Sequence, residues 1–155
     1  MPNLGDIFPS NFAQTFASHH QLSVGDVIYL FCDFTTPEKH KYMVVCCCEP
    51  LLVLLINSDI SEYILARPHL LQCQVDLLEA DHPFLEWDSF VNCIEAHQAF
   101  DLEVVKEQIT SNYTQTYKGR VAGYCLRSIY EAVELSETML RRHKRLILES
   151  MQQYV

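Results

Sequence analysis

Between residues 23 and 100 the apolar positions come in short solid runs rather than in alternation. Val27-Ile28-Tyr29-Leu30-Phe31-Cys32 follows the Gly25-Asp26 turn pair, and such an aromatic and β-branched run predicts a strand. A polar loop from Thr35 to Lys39, containing Pro37, separates it from a second run, Tyr42 to Cys48. Glu49-Pro50 then leads to a third, Leu51 to Ile56. Continuous apolarity means that both faces of these strands are covered. The short break between the last two predicts an antiparallel hairpin. A further strand is expected within Leu70–Leu78 and, beyond the loop Glu79–Pro83, another at Ser89–Ile94. Nothing between them has the spacing of a βαβ unit.

The pattern changes at both ends. Ser10 is a helix N-cap candidate, and Phe12 and Phe16 recur at i,i+4, so residues 1–22 read as an N-terminal helical cover. Asp101 is placed to cap a helix through Ser111, followed by a polar linker at Asn112–Lys118 and a break at Gly119. From Val121, the positions Ala122, Leu126, Ile129 and Val133 mark an amphipathic helix, and Leu140 and Ile147 extend its stripe past a break near Ser136. The expected fold is mainly β with α additions. A small barrel or curled sheet fills residues 23–100, and a C-terminal helical extension, residues 101–155, packs on it.

Charge narrows the range of partners. The net charge is -9, and it is unevenly spread. Residues 1–105 carry fifteen carboxylates against Lys39, Lys41 and Arg67, whereas residues 106–155 carry eight basic and five acidic side chains. A generally basic, non-specific nucleic-acid binder is excluded, because such binding rests on counterion release by positive charge. A local basic site remains open. The longest apolar stretch, Tyr42 to Ile56, is broken by Glu49 and Pro50 and falls short of the roughly 20 residues that span a bilayer. The N-terminal residues Met-Pro-Asn-Leu-Gly-Asp lack the basic and apolar regions of a signal peptide. A cytoplasmic protein without a membrane partner is expected.

Seven cysteines, an odd number, fit no disulfide framework, and Cys46-Cys47-Cys48 lie inside an apolar run where thiols act as small hydrophobes. The pairs His69/Cys73 and Cys93/His97 have helical i,i+4 spacing but fall where strands or strand edges are expected. Four residues along a strand span about 13 Å, too far to share a metal. Cysteines 46–48 would alternate faces, so no metal site is expected. Gly5, Gly25, Gly119 and Gly123 are isolated and make no phosphate-binding loop. No cofactor is implied.

Gly25-Asp26-Val27-Ile28-Tyr29-Leu30, a loop, and then Lys41-Tyr42-Met43-Val44-Val45 resemble the opening of the PemK/MazF toxin family. Leu54-Leu55-Ile56-Asn57-Ser58 resembles the family strand that ends in two hydroxyl residues. Asp81-His82-Pro83-Phe84-Leu85, Asp88-Ser89-Phe90-Val91-Asn92 and the loop Lys39-His40-Lys41 resemble a divergent branch of it. The resemblance covers roughly residues 23–100, with a weaker echo in the C-terminal helix. It implies an SH3-like barrel and a metal-independent endoribonuclease that cleaves single-stranded RNA through its 2′-hydroxyl. It also implies an antitoxin-type protein partner and a homodimer. Lys41 then takes the place of the family's catalytic arginine, and Ser58 with Asn57 the place of its hydroxyl residue. Lysine lacks the bidentate fork of arginine, and no proline follows it here. The same barrel therefore also reads as a catalytically inactive module that binds protein or RNA.

The reaction needs a base, a cation for the phosphorane oxygens and an acid. Lys41 is the candidate cation, with His40 and Ser58 as catalytic assistants. His40 qualifies by the range in which imidazole titrates. Lys39, Asn57 and His82 are candidate RNA contacts. Lys39 and Lys41 read equally as a solvated loop, and His82 as part of a turn with Asp81 and Pro83. Arg141, Arg142 and Arg145 share one helix side opposite Leu140 and Ile147, and make a further RNA-backbone candidate. Their alternative role is as cations at a helix C-terminus.

Overall fold

The computed structural model describes residues 22–155. Ser10, Phe12 and Phe16 of the expected N-terminal cover lie outside the described residues. The described residues build one antiparallel sheet of six strands, in the order β4-β5-β3-β2-β1-β6. The strands are β1 Asp26–Cys32, β2 Lys39–Cys48, β3 Leu51–Asn57, β4 Gln74–Leu77, β5 Ser89–Asn92 and β6 Tyr117–Arg120. Among the described residues six α-helices accompany them: α1 Glu62–Leu65, α2 Pro68–Leu71, α3 Leu102–Ser111, α4 Tyr113–Thr116, α5 Gly123–Leu135 and α6 Arg141–Met151. The fold is mainly β with α additions. Asp101 caps α3, its carboxylate accepting from the N–H groups of Glu103 and Val104.

Both faces of the sheet are covered, as the unbroken apolar runs require. Val27, Val44, Leu52, Leu54 and Ile56 join Leu126, Ile129 and Val133 of α5 and Ile147 and Met151 of α6 in one buried cluster. Ile28, Leu30, Met43, Val45 and Val53 point the other way and pack with Val105 and Ile109 of α3. Alternation is thus present in space but hidden in the sequence, since both directions lead into oil.

Two details depart from the expected pattern. Val45 pairs with Val53 and Cys47 with Leu52, so Cys46 is an extra residue in β2, a β-bulge. Cys46 and Cys47 consequently join the same buried cluster, and only Cys48 packs on the opposite side. Strict alternation of the three does not occur. The second departure is β6, which lies within the stretch expected to be linker and break.

Asp26 accounts for β6. The residue is completely buried, and a lone buried carboxylate is costly unless paired and hydrogen-bonded. Arg120 Nη1 donates to Asp26 Oδ1 at 2.7 Å, the Tyr117 hydroxyl at 3.2 Å, and the Ser23 N–H donates to Oδ2 at 2.8 Å. Burial, then the Asp26 charge, push the Tyr117 phenol up to about 12, which keeps it a donor. Two of the β6 side chains, Tyr117 and Arg120, thus serve one buried carboxylate. Gly25 completes the arrangement. Its φ is +96°, and a Cβ there would stand 3.0 Å from Arg120 Nη2 and 3.3 Å from Leu126 Cδ2.

Candidate functional site

The β2–β3 ladder runs from Cys48 opposite Leu51 to Met43 opposite Leu55 and then stops. Beyond it, β3 pairs with β5, Ile56 with Val91 and Asn57 with Phe90, while β2 continues along β1. The divergence opens a cleft of about 300 Å³. Lys39, His40 and Lys41 line it from β2, Asn57 and Ser58 from the end of β3, and Glu86 and Trp87 from the segment before β5. The sequence candidates Lys39, His40, Lys41, Asn57 and Ser58 therefore meet at one place. Lys39, Lys41, Asn57 and Ser58 also border a neighbouring hollow beside α1, together with Asp59 and Ser61.

Lys41 is half-buried, and its ammonium donates to Asn57 Oδ1. No carboxylate pairs with it among the described residues. Burial lowers its pKa from the ordinary lysine value, the Lys39 cation adds to this, and Cys32 opposes it. An ammonium held by a neutral amide, short of water and next to another cation, gains most from an incoming anion. Glu86 is the nearby carboxylate of the cleft. Its charge raises the pKa of Tyr42, after burial and Tyr29.

His40 stands in an aromatic row. Its ring lies 5.2 Å from Tyr29 and 5.5 Å from Phe31, between centroids, and Tyr29 is 4.7 Å from Tyr42. Register produces this row, since His40 lies opposite Phe31 and Tyr42 opposite Tyr29. Glu86, Trp87, Tyr29 and Tyr42 are absent from the sequence candidates. For the two tyrosines, the β1–β2 pairing itself is the signal that finds them.

The remaining candidates are elsewhere. His82 is fully buried and away from the cleft. Its Nε2 accepts from the Ala122 N–H at 3.0 Å, so Nδ1 carries the proton and donates to the Leu78 carbonyl at 2.7 Å. That ring is a brace between two loops, with no face left for RNA. Arg141, Arg142 and Arg145 are exposed, but no α6 residue lines the cleft. Arg141 and Arg142 sit in the first turn of α6, not at a helix C-terminus, and Leu140 is 66% exposed instead of continuing the buried stripe.

All seven cysteines are free thiols. Burial raises Cys32, Cys46, Cys73, Cys93 and Cys125 above the usual thiol range, and Cys48 to about 11. A reactive thiol needs the opposite, exposure and a lowered pKa. Among the described residues no group of three or more His, Cys, Asp or Glu side chains is placed to hold a metal ion. No described helix is long and apolar enough to cross a membrane. The chain matches no protein-family model and no curated protein.

Proposed function

We propose that the cleft at Lys41 binds the backbone of single-stranded RNA and cleaves it without a metal, by attack of the 2′-hydroxyl on the adjacent phosphate. The observation that carries this reading is the Lys41 ammonium. It is half-desolvated, oriented by the Asn57 amide and free of a carboxylate partner among the described residues. Such a cation stabilises charge developing on phosphorane oxygens, where preorganised donors act most strongly. Lys39 supplies a second contact to the backbone. His40 and Glu86 are the two titratable groups in the same cleft suited to proton transfer, and Ser58 adds a hydroxyl donor. The order of motifs resembling the PemK/MazF family, and the SH3-like barrel it implies, support the same chemistry.

A second reading, RNA binding without cleavage, is favoured by one feature. No arginine lines the cleft among the described residues, so no planar fork grips the phosphate. A cleavage assay on long single-stranded RNA in EDTA decides between the two. Wild-type protein is expected to yield discrete products with 2′,3′-cyclic phosphate ends. Lys41→Ala is expected to lose about a hundredfold or more in rate, the scale of one lost transition-state donor. Intact RNA in the presence of folded wild-type protein selects binding alone, and full activity in Lys41→Ala removes Lys41 from the chemistry.

A further inference from the structure

A second cavity, of about 560 Å³, opens on the far side of His40. Its volume falls within the roughly 300–1,000 Å³ of small-molecule sites. It shares Tyr29 and His40 with the Lys41 cleft, so the two adjoin at the end of β2. One wall is aromatic. Phe31 is 49% exposed, while its neighbours in β1, Leu30 and Cys32, point to the other face and are buried. Gln108, Asn112 and Gln115, from α3, α4 and the residue between them, line it as well, with Ser111 and Thr116. Lys118 of β6 closes the cavity with its ammonium 5.5 Å from the centre of the Tyr29 ring.

The amides are arranged with respect to each other. Asn112 Nδ2 donates to Gln115 Oε1 at 2.6 Å. That bond joins two exposed side chains and leaves the Asn112 amide oxygen and the Gln115 amide nitrogen open to solvent. An acceptor and a donor lining the same cavity as the exposed Phe31 ring match the edge and the face of an unpaired base. Single-stranded RNA is recognised in this way, by stacking on aromatic rings and hydrogen bonds to base edges.

We propose that this cavity is a base subsite, holding a nucleobase next to the phosphate at Lys41, stacked on Phe31 with the His40 ring, inclined at 65° to it, against the base edge, and read by Asn112 and Gln115. It rests on the RNA reading of the Lys41 cleft but not on cleavage there. Lys118 serves the phosphate beyond that base. Phe31 is the natural probe because its exposure makes truncation tolerable to the fold.

The test is a fluorescence-anisotropy titration of the full chain with a short labelled 2′-O-methyl oligoribonucleotide, which cannot be cut by its own 2′-hydroxyl. Phe31→Ala is expected to weaken binding about tenfold, the scale of one lost stacking partner, and Gln115→Ala to weaken it as well. An oligonucleotide with an abasic position at the subsite is expected to bind wild type and Phe31→Ala alike, whereas Lys41→Ala weakens both ligands. Equal affinity of wild type and Phe31→Ala for the intact oligonucleotide overturns the subsite. Absence of any titration with wild type overturns it too, and leaves the cavity to a protein partner. Binding with this base dependence, alongside uncut RNA in the cleavage assay, upholds the subsite while refuting the nuclease.

Discussion

His82 and Lys41 are both polar side chains with hydrogen-bond partners, and burial separates their roles. His82 is sealed and joins the Leu78 carbonyl to the Ala122 N–H. Replacing it by alanine leaves both backbone groups and a void, so His82→Ala is expected to destabilise the fold by about 3 kcal/mol, checked by urea unfolding. Lys41 keeps an open side and a partner that does not neutralise it. Its candidacy is legible in the sequence because lysine is rare in the first 105 residues. The candidacy of Glu86 and Trp87 is not legible. They enter the cleft only because β5 returns beside β3, a pairing between residues more than thirty apart in the chain.

Among the elements, β1, β2, β3 and β5 are read correctly from their apolar runs, and α3 and α5 from period and cap. β4 lies within its expected stretch, Leu70–Leu78, whose first residues end the short helix that Pro68 starts. α6 shows where local pattern misleads. Its arginines look like a C-terminal cap, yet Leu140 is its N-cap and Arg141 and Arg142 fill its first turn. Cations there oppose the helix dipole. The double variant Arg141→Glu, Arg142→Glu is expected to stabilise the protein by about 1 kcal/mol, raising Tm by roughly 2–4 °C in calorimetry. A concurrent loss of RNA affinity would return this turn to the binding surface.

At the scale of the molecule, an acidic chain concentrates three lysines along two adjoining cavities. Lys39, Lys41 and Lys118 line them together with Tyr29, Phe31 and Trp87. Three phosphate contacts give an expected slope of roughly -2 for log affinity against log salt on single strands, measured by titration from low to moderate salt. A slope near zero would rule out backbone contacts by these lysines. The fold that carries them is closed by its latest strand. Asp26 and Arg120 are separated by 94 residues, and translation adds roughly 5–20 residues per second. On the ribosome, β1 therefore waits on the order of 5–20 s for the cation that lets its carboxylate be buried. Of the helices that cover the apolar β2–β3 hairpin, α3 is made within that interval and α5 and α6 only after it. The hairpin face that meets α5 and α6 thus outlasts the arrival of β6 as open apolar surface on the nascent chain.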